Sequence, residues 1–252
     1  MIAAYLALEL RRIARDPVTL FFTTGLPALM YVIFGISMPW GKYPIGNGNI
    51  SMYMMIGMAA YGAVTATTGV GGMAAVERMQ GWGRQLGLTA LHDWQFVLVK
   101  SLVAMIVAAV PVTLVYGIGL ATSAEAPAST WLWSYPIALL GSAGFALYGL
   151  NAGLLFRLEN AVSGAAGMLV ILGFLGNVFT PLSGKLLLIA KFTPLYGYVA
   201  LARAPLTRQT IDTNTGDVFA QPLWQGVVNV SLWTVGFALL ALLLVRRSRA
   251  RQ

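Results

Sequence analysis

Charged residues are scarce in this chain, histidine occurs once and cysteine is absent. Without cysteine there are no disulfides, zinc thiolate sites or thiol nucleophiles. The single histidine, His92, lies beside Asp93 and excludes metal motifs that need two histidines. The sequence also contains no catalytic triad, no metal-ligand cluster and no G-x-x-x-x-G-K-[ST] phosphate loop. We therefore expect no catalytic or metal site, and any ATP chemistry must come from another chain.

Apolar residues dominate instead. Hydrophobic residues make up 58% of the 252 residues and charged residues 10%, and the mean hydropathy is +0.75. This is too apolar for a soluble domain with a solvated surface. A membrane-spanning helix needs ~20 apolar residues, and six such runs are predicted at about 17–38, 50–76, 101–121, 131–156, 161–180 and 223–245. The sequence thus predicts an all-α integral membrane protein with one transmembrane domain over residues 1–252.

None of the six predicted spans contains Asp, Glu, Lys, Arg or His. Proton-driven carriers usually place ionisable side chains at membrane depth, so a proton antiporter is disfavoured. Backbone carbonyls can still bind sodium, so sodium coupling is only weakened. Within the spans, Pro27 predicts a kink in the first. Gly149 and Gly153 have the spacing of close helix packing in the fourth, although glycine is also simply common in such helices.

Basic residues are unevenly distributed between the loops, which predicts the orientation. With both termini in the cytoplasm, 11 of the 16 basic residues lie inside: Arg11, Arg12, Arg15, Arg78, Arg84, Lys100, Arg157, Arg246, Arg247, Arg249 and Arg251. The remaining five lie outside: Lys42, Lys185, Lys191, Arg203 and Arg208. The sequence therefore predicts a membrane protein that crosses the membrane several times and has both termini in the cytoplasm.

Three segments outside the spans are distinctive. Residues 1–16 predict an amphipathic helix on the cytoplasmic surface, with Glu9, Arg12 and Asp16 on a face away from its apolar stripe and its arginines near lipid headgroups. Residues 77–100 are polar between two apolar runs and predict a helical hairpin at the membrane surface. Residues 181–221 are apolar but interrupted by lysines, prolines and Arg203, which predicts a broken helix pair that dips into the outer leaflet and returns.

This order of segments resembles the permease subunit of ABC-2 type (type V) ABC exporters, and the resemblance covers essentially the whole chain. The most specific match is in the hairpin, where this sequence has Glu77, Arg78, Gly81, Leu86, Leu88, Thr89 and Lys100, with Ala90 where the family usually has proline. A second match, to the external re-entrant pair of the family, lies in the stretches 181–184, 193–196 and 200–203.

The resemblance implies a cytoplasmic coupling helix in residues 77–94 that binds a separate ATP-binding subunit. The residues implied in this role are Glu77, Arg78, Gly81, Trp82, Arg84, Leu86, Leu88, Thr89 and Leu91. The N-terminal helix would brace this segment. Glu77 and Arg78 pair with charges on that helix or on the ATPase, or merely end the second span. ATP and Mg²⁺ would bind to two copies of the partner subunit, and this chain would need no cofactor of its own.

The resemblance also implies a second permease chain, identical or related, and a substrate path between the two permeases. The candidate residues on this path are Tyr53, Tyr61, Thr65, Thr68, Asn177, Phe179 and Thr180. Their mixture of aromatic, hydroxyl and amide groups suits a hydrophobic or amphipathic substrate such as a drug, antibiotic, peptide or lipid-linked molecule. Export is the expected direction. The alternatives are a secondary carrier or channel that works without an ATPase, and a membrane enzyme or scaffold.

Overall fold

A computed structural model of the chain describes residues 2–80, 93–156, 159–179, 182, 184–211 and 218–249. These residues are mostly helical. The helices are α1 (Ile2–Ala14), α2 (Pro17–Leu20), α3 (Leu26–Tyr31), α4 (Ile50–Met79), α5 (Asp93–Leu120), α6 (Ala128–Gly141), α7 (Ala143–Phe156), α8 (Glu159–Leu175), α9 (Gly184–Ala190), α10 (Pro194–Arg203) and α11 (Leu223–Arg249). Two π-helical segments, Phe21–Gly25 and Val32–Ile36, and a short 3-10 helix, Pro39–Lys42, complete the first third of the chain.

Within the described residues, five segments are long and apolar enough to cross a membrane: Pro17–Ile36, Ile50–Glu77, Leu98–Leu120, Ala128–Phe156 and Leu223–Val245. The bent pair α9 and α10 raises this number to six if it counts as one span. The predicted fifth span is shorter than expected. Its helix α8 ends at Leu175, before the predicted end at 180, and only Val162–Leu175 is apolar.

Two charged residues lie at the edges of the predicted spans, within the longer apolar helices of the structure. The segment Ile50–Glu77 ends in a glutamate, and Leu98–Leu120 contains Lys100. Both side chains are buried, because each lies next to groups of opposite charge. The predicted spans end just before Glu77 and begin just after Lys100.

Two short antiparallel β-hairpins add to the expected all-helical fold. In the first, β1 (Pro44–Ile45) pairs with β2 (Gly48–Asn49); in the second, β3 (Gln209–Ile211) pairs with β4 (Val218–Ala220). The first hairpin contacts two other segments of the chain, the one before α6 and the one after α10. The N–H of Asn49 donates to Glu125 O (3.1 Å), and the N–H of Asn47 donates to Leu206 O (2.9 Å). We call this end of the bundle the hairpin end, and the opposite end, where Glu9, Glu77 and Lys100 meet, the charged end.

The first span is irregular over much of its length. A π-helical segment lies on each side of α3, and Pro27 lies in the first turn of α3. Proline lacks the N–H that continues the α-helical hydrogen-bond ladder, and π-helical turns are a common way to absorb such an interruption. The sequence predicted a single kink at Pro27, whereas the structure distributes the irregularity over both flanking turns.

Helix α4 is the central element of the bundle. Of the apolar stretch of α4 that could span a membrane, 89% is buried inside the chain, compared with 6% of the corresponding stretch of α11. Its most extensive contacts are with α7 and α5. The helix begins after Asn49 because the side-chain oxygen of Asn49 accepts the N–H of Met52 at 2.9 Å, which is the geometry of a helix N-cap.

Close contact between α4 and α7 depends on glycines. A methyl group added at Gly149 would collide with the backbone of α4 at Thr68 and Gly72, and one added at Gly71 would collide with the backbone of α7 at Ala146. At Gly153 the added carbon would lie 3.1 Å from the Gly72 carbonyl oxygen. Of the two interpretations of Gly149 and Gly153 left open by the sequence, close packing is therefore confirmed.

The re-entrant character predicted for residues 181–221 has a structural counterpart. Helices α9 and α10 are bent by 93° at the break between them. The turn at the break is tied to α11, because Asn229 Nδ2 donates to Lys191 O (2.9 Å) and Trp233 Nε1 donates to Phe192 O (2.9 Å). The hydroxyl of Tyr198 on α10 bonds to the carbonyls of Ala138 and Ala60, so α10 is packed into the bundle, whereas Leu186, Leu188 and Ile189 of α9 are exposed.

Asp16 caps the start of the first span. Its Oδ2 accepts the hydroxyl of Thr19 at 2.6 Å and its Oδ1 accepts the N–H of Thr19 at 3.0 Å. Both bonds favour the ionised carboxylate, so the Thr19 hydroxyl, and then the Thr19 N–H, hold the pKa of Asp16 below its ordinary value.

We expect Asp16→Ala to lower the free energy of unfolding by ~1 kcal/mol at neutral pH, since a helix cap is lost. Because the folded-state pKa is depressed, this stabilisation is present above the unfolded pKa of about 3.9 and is lost as the pH falls through the folded pKa. Thermal unfolding in lipid nanodiscs at a series of pH values checks this. The gap between wild type and Asp16→Ala should close at the acidic end, whereas the gap between the non-titrating Asp16→Asn and Asp16→Ala should stay constant. A wild-type gap that does not change with pH contradicts the assignment.

Candidate functional site

Four charged side chains from three helices meet at the charged end. Lys100, in the third turn of α5, binds Glu77 Oε2 at 2.6 Å and Glu9 Oε2 at 2.9 Å. The other oxygen of Glu77, Oε1, accepts the guanidinium of Arg12 at 2.9 Å. We call Glu9, Arg12, Glu77 and Lys100 the ion cluster. It joins α1 to the end of α4 and the start of α5.

The ion cluster is largely shielded from solvent. The side chains of Glu77, Lys100 and Glu9 are 6%, 9% and 12% exposed, while that of Arg12 is 54% exposed. Its two carboxylates balance two cations, which is the condition under which buried charges are tolerated. Breaking such an arrangement by removing one partner is costly because a buried charge loses its compensation.

Tyr5 completes the cluster on α1. Its ring lies beneath the ammonium of Lys100, with 5.9 Å between the nitrogen and the ring centroid. Burial, followed by the nearby carboxylates of Glu9 and Glu77, raises the pKa of the Tyr5 phenol well above its usual range. The phenol therefore stays neutral at physiological pH, and the charge balance of the cluster does not depend on it.

The face assigned to Glu9 from the sequence is wrong. Glu9 was expected on the polar face of the N-terminal helix with Arg12 and Asp16, but its side chain lies on the packed face, between Tyr5 and Ile13 at four-residue spacing. The tertiary contact with Lys100 provides the reason, because a carboxylate can enter this face only where a cation meets it. The spacing of Glu9 from Tyr5 and Ile13 is compatible with this face, but only the contact with Lys100 explains why a carboxylate is buried there.

The structure answers part of the prediction for the polar segment 77–100. Of the interpretations considered for Glu77, it shows the pairing with the N-terminal helix. Arg78 lies in α4, but its side chain is outside the described residues. So are the other predicted coupling residues: Gly81, Trp82, Arg84, Leu86, Leu88, Thr89 and Leu91.

The residues predicted on a substrate path are mostly buried within the single chain. Tyr53, Tyr61, Thr68, Asn177 and Phe179 are all at most 9% exposed, and Thr180 lies outside the described residues. Thr65 is half-buried and its hydroxyl donates to Tyr61 O at 2.9 Å. On this part of α4, Thr65 and Gly69 are half-buried and Met73 is exposed. These three residues recur every four positions and form a partly exposed strip along the helix.

Two of these predicted residues surround a buried arginine at the hairpin end. Arg203, the last residue of α10, is 3% exposed. Its Nε donates to Tyr53 O (3.1 Å), its Nη1 to Asn177 O (2.6 Å) and its Nη2 to Val178 O (3.4 Å). The guanidinium carbon also lies 3.6 Å from the centroid of the Tyr53 ring. The sequence placed Arg203 in the external loop region, and nothing in its spacing indicates burial.

The chain around Arg203 is adapted to it. A methyl group at Gly57, one turn along α4 from Tyr53, would collide with the guanidinium, so glycine leaves the space that Arg203 fills. Asn177 has a left-handed backbone with φ of 59°, which asparagine adopts more readily than most residues. Its side chain donates to the Tyr53 hydroxyl (3.3 Å) and accepts the N–H of Leu182 (2.9 Å). A cavity of about 10 Å³, roughly the space for one water molecule, adjoins these residues.

Among the described residues, no group of three or more histidine, aspartate or glutamate side chains is arranged to hold a metal ion. Comparison with known proteins adds no relative from which a role could be transferred: no protein-family model matches the chain, and no curated protein matches it.

Proposed function

We propose that this chain is the permease subunit of an ATP-driven exporter of the ABC-2 type, with six spans and both termini in the cytoplasm of a prokaryotic cell. The observation that carries the proposal is the ion cluster, because it joins α1 to the two helices that flank residues 81–92. A force applied to that segment is transmitted at once to α1, α4 and α5. This is the mechanical requirement for coupling to an ATPase on a separate chain.

The central helix supports the same proposal. Helix α4 is continuous over 30 residues, which is about 45 Å at 1.5 Å per residue. It runs from Glu77 in the ion cluster to Tyr53 beside Arg203 at the hairpin end. A tilt of this helix at the charged end therefore moves groups at the opposite end of the bundle.

The proposed assembly contains two permease chains and two ATP-binding subunits, which hold ATP and Mg²⁺. The substrate path lies between the permeases. It is lined by the partly exposed strip of Thr65, Gly69 and Met73 on α4, because most of the other path candidates are buried in this structure. Such a lining suits hydrophobic or amphipathic molecules. The exposed Arg11 and Arg15 of α1 would face headgroups of the cytoplasmic leaflet.

The experiment that tests the proposal is co-purification and ATP hydrolysis. The chain is expressed with an ATP-binding subunit encoded beside its gene, purified by a tag on the chain, and assayed in lipid nanodiscs. We expect a stable complex with ATPase activity. Arg84→Glu should reduce co-purification or hydrolysis about fivefold or more, because charge reversal at an interface is repulsive. Arg208→Glu, which changes an exposed arginine at the hairpin end, is the control and should have no effect.

The contrary outcome is specific. If no ATPase co-purifies and the purified chain alone moves solute down an ion gradient in proteoliposomes, the exporter proposal is wrong. The alternative of a secondary carrier or channel then takes its place.

A further inference from the structure

Arg203 is an unusual residue for its position, since a guanidinium buried in a membrane domain is costly and normally marks a functional site. In the described part of the chain its partners are three backbone carbonyls and one aromatic ring, with no carboxylate among them. Hydrogen bonds of a charged donor to carbonyls are strong in a low-dielectric site, but each can be broken without leaving an opposite charge behind. Release of Arg203 therefore leaves no buried carboxylate behind, and the freed guanidinium itself must then be hydrated.

The carbonyls belong to separate parts of the fold. Tyr53 is near the start of α4, whereas Asn177 and Val178 belong to the turn that follows α8. Arg203 itself ends α10, the second helix of the bent pair. The guanidinium thus bridges three elements at the hairpin end, and no two of them can separate there unless at least one of its bonds breaks.

Arg203 and Asn177 attach the turn after α8 to the rest of the bundle. The backbone of the turn is closed as at many helix C-termini, with Asn177 in the left-handed conformation and bonds from Asn177 N–H to Phe174 O (3.1 Å) and from Val178 N–H to Gly173 O (3.0 Å). The carbonyls of Asn177 and Val178 accept the guanidinium of Arg203. The side chain of Asn177 adds bonds to the Tyr53 hydroxyl and the Leu182 N–H.

We propose that Arg203 is a latch that holds the hairpin end of the bundle closed. When the latch is released, the turn after α8 moves away from α4 and the small cavity beside Arg203 opens to the aqueous phase at the hairpin end. The proposal goes beyond the exporter function, because a carrier or channel built on this fold would need the same release. Its test needs no ATPase, so its failure leaves the exporter proposal standing.

The absence of cysteine provides the assay. Ala200 lines the cavity and is half-buried, so Ala200→Cys introduces the chain's only thiol at the place that should open. The full chain is reconstituted in lipid nanodiscs, and the rate of modification by a charged maleimide is measured. We expect Arg203→Met to raise this rate about tenfold or more, which corresponds to about 1.4 kcal/mol in the opening equilibrium. The reason is that three hydrogen bonds and a cation–π contact are lost together.

The matched control is Arg208→Met, which removes an exposed arginine five residues further along the chain and should leave the rate unchanged. Folding of each variant is checked by its elution profile and unfolding temperature. Should Arg203→Met fail to fold, Gly57→Ala is used instead, because the added methyl group displaces the guanidinium while leaving all its partners in place. It too should raise the rate. An unchanged rate in a folded Arg203→Met or Gly57→Ala, or an equal increase in Arg208→Met, overturns the proposal.

Discussion

Glu77→Gln is expected to destabilise the protein by ~3 kcal/mol and to release the N-terminal helix from the bundle. The substitution removes the carboxylate that binds both Lys100 and Arg12, so the buried ammonium loses one of the two carboxylates that bind it in the described part of the chain. Measured costs of breaking buried ion pairs are ~3–5 kcal/mol. The expected ~3 kcal/mol corresponds to a decrease of roughly 6–12 °C in the unfolding temperature of a chain this size.

Two measurements check this expectation. Thermal unfolding in nanodiscs reports the stability, and hydrogen–deuterium exchange reports whether residues 2–14 lose protection. The matched control is Glu125→Gln, which changes an exposed glutamate at the hairpin end and should alter the stability by less than ~0.5 kcal/mol.

The double variant Glu77→Gln with Lys100→Met separates the lost ion pair from a general defect. Removing the cation as well as its carboxylate should recover part of the stability, because the buried charge no longer needs compensation. If Glu77→Gln unfolds at the wild-type temperature with unchanged exchange of α1, the ion cluster does not hold the helix, and the observation behind the exporter proposal loses its force.

Gly149→Ala should be one of the most damaging single methyl additions in the described interior, together with Gly71→Ala. The new carbon would collide with the backbone of α4 at Thr68 and Gly72, and backbone atoms cannot rotate away as side chains do. Overpacking typically costs ~1–3 kcal/mol, and we expect a value at or above the upper end because the α4–α7 contact is the most extensive in the bundle. The unfolding temperature in nanodiscs is the measurement.

Gly69→Ala is the control, since it lies in α4 two residues before Gly71 and a methyl group there meets no atom within 4 Å in the structure. Alanine is favoured over glycine in helices by up to ~1 kcal/mol, so this variant should be neutral or slightly more stable. The two substitutions are chemically identical and should change stability in opposite directions or differ by ~2 kcal/mol or more. Equal effects would show that close approach of α4 and α7 is not what the glycines provide.

Together these residues connect stability with function. The ion cluster holds the charged end, the glycine contact holds α4 against α7, and Arg203 holds the hairpin end. Because α4 takes part in all three, its position determines whether the two ends of the bundle move together. In the proposed exporter, energy is supplied at one end of the bundle and the substrate is released at the other, which requires such a connection.

Much of the helical plan could be predicted from the sequence. Long apolar runs must be helical in lipid, since every backbone group then has a partner within the segment, and the positions of most spans follow from this alone. The shorter fifth helix and the two β-hairpins could not be predicted, because both depend on where the chain folds back. Helix α8 is followed by a turn at Asn177 whose carbonyl accepts the guanidinium of Arg203, a residue from a distant part of the chain.

By itself, the sequence determined the composition class, the number of long apolar runs and the presence of a polar segment around Glu77. These are local properties, set by hydrophobicity and spacing along the chain. Only the tertiary structure decided that Glu9 faces inward and that Arg203 is buried, since a charged side chain enters an apolar interior only where distant residues provide compensating groups. Whether such groups meet depends on how the helices pack, and no local pattern contains that information.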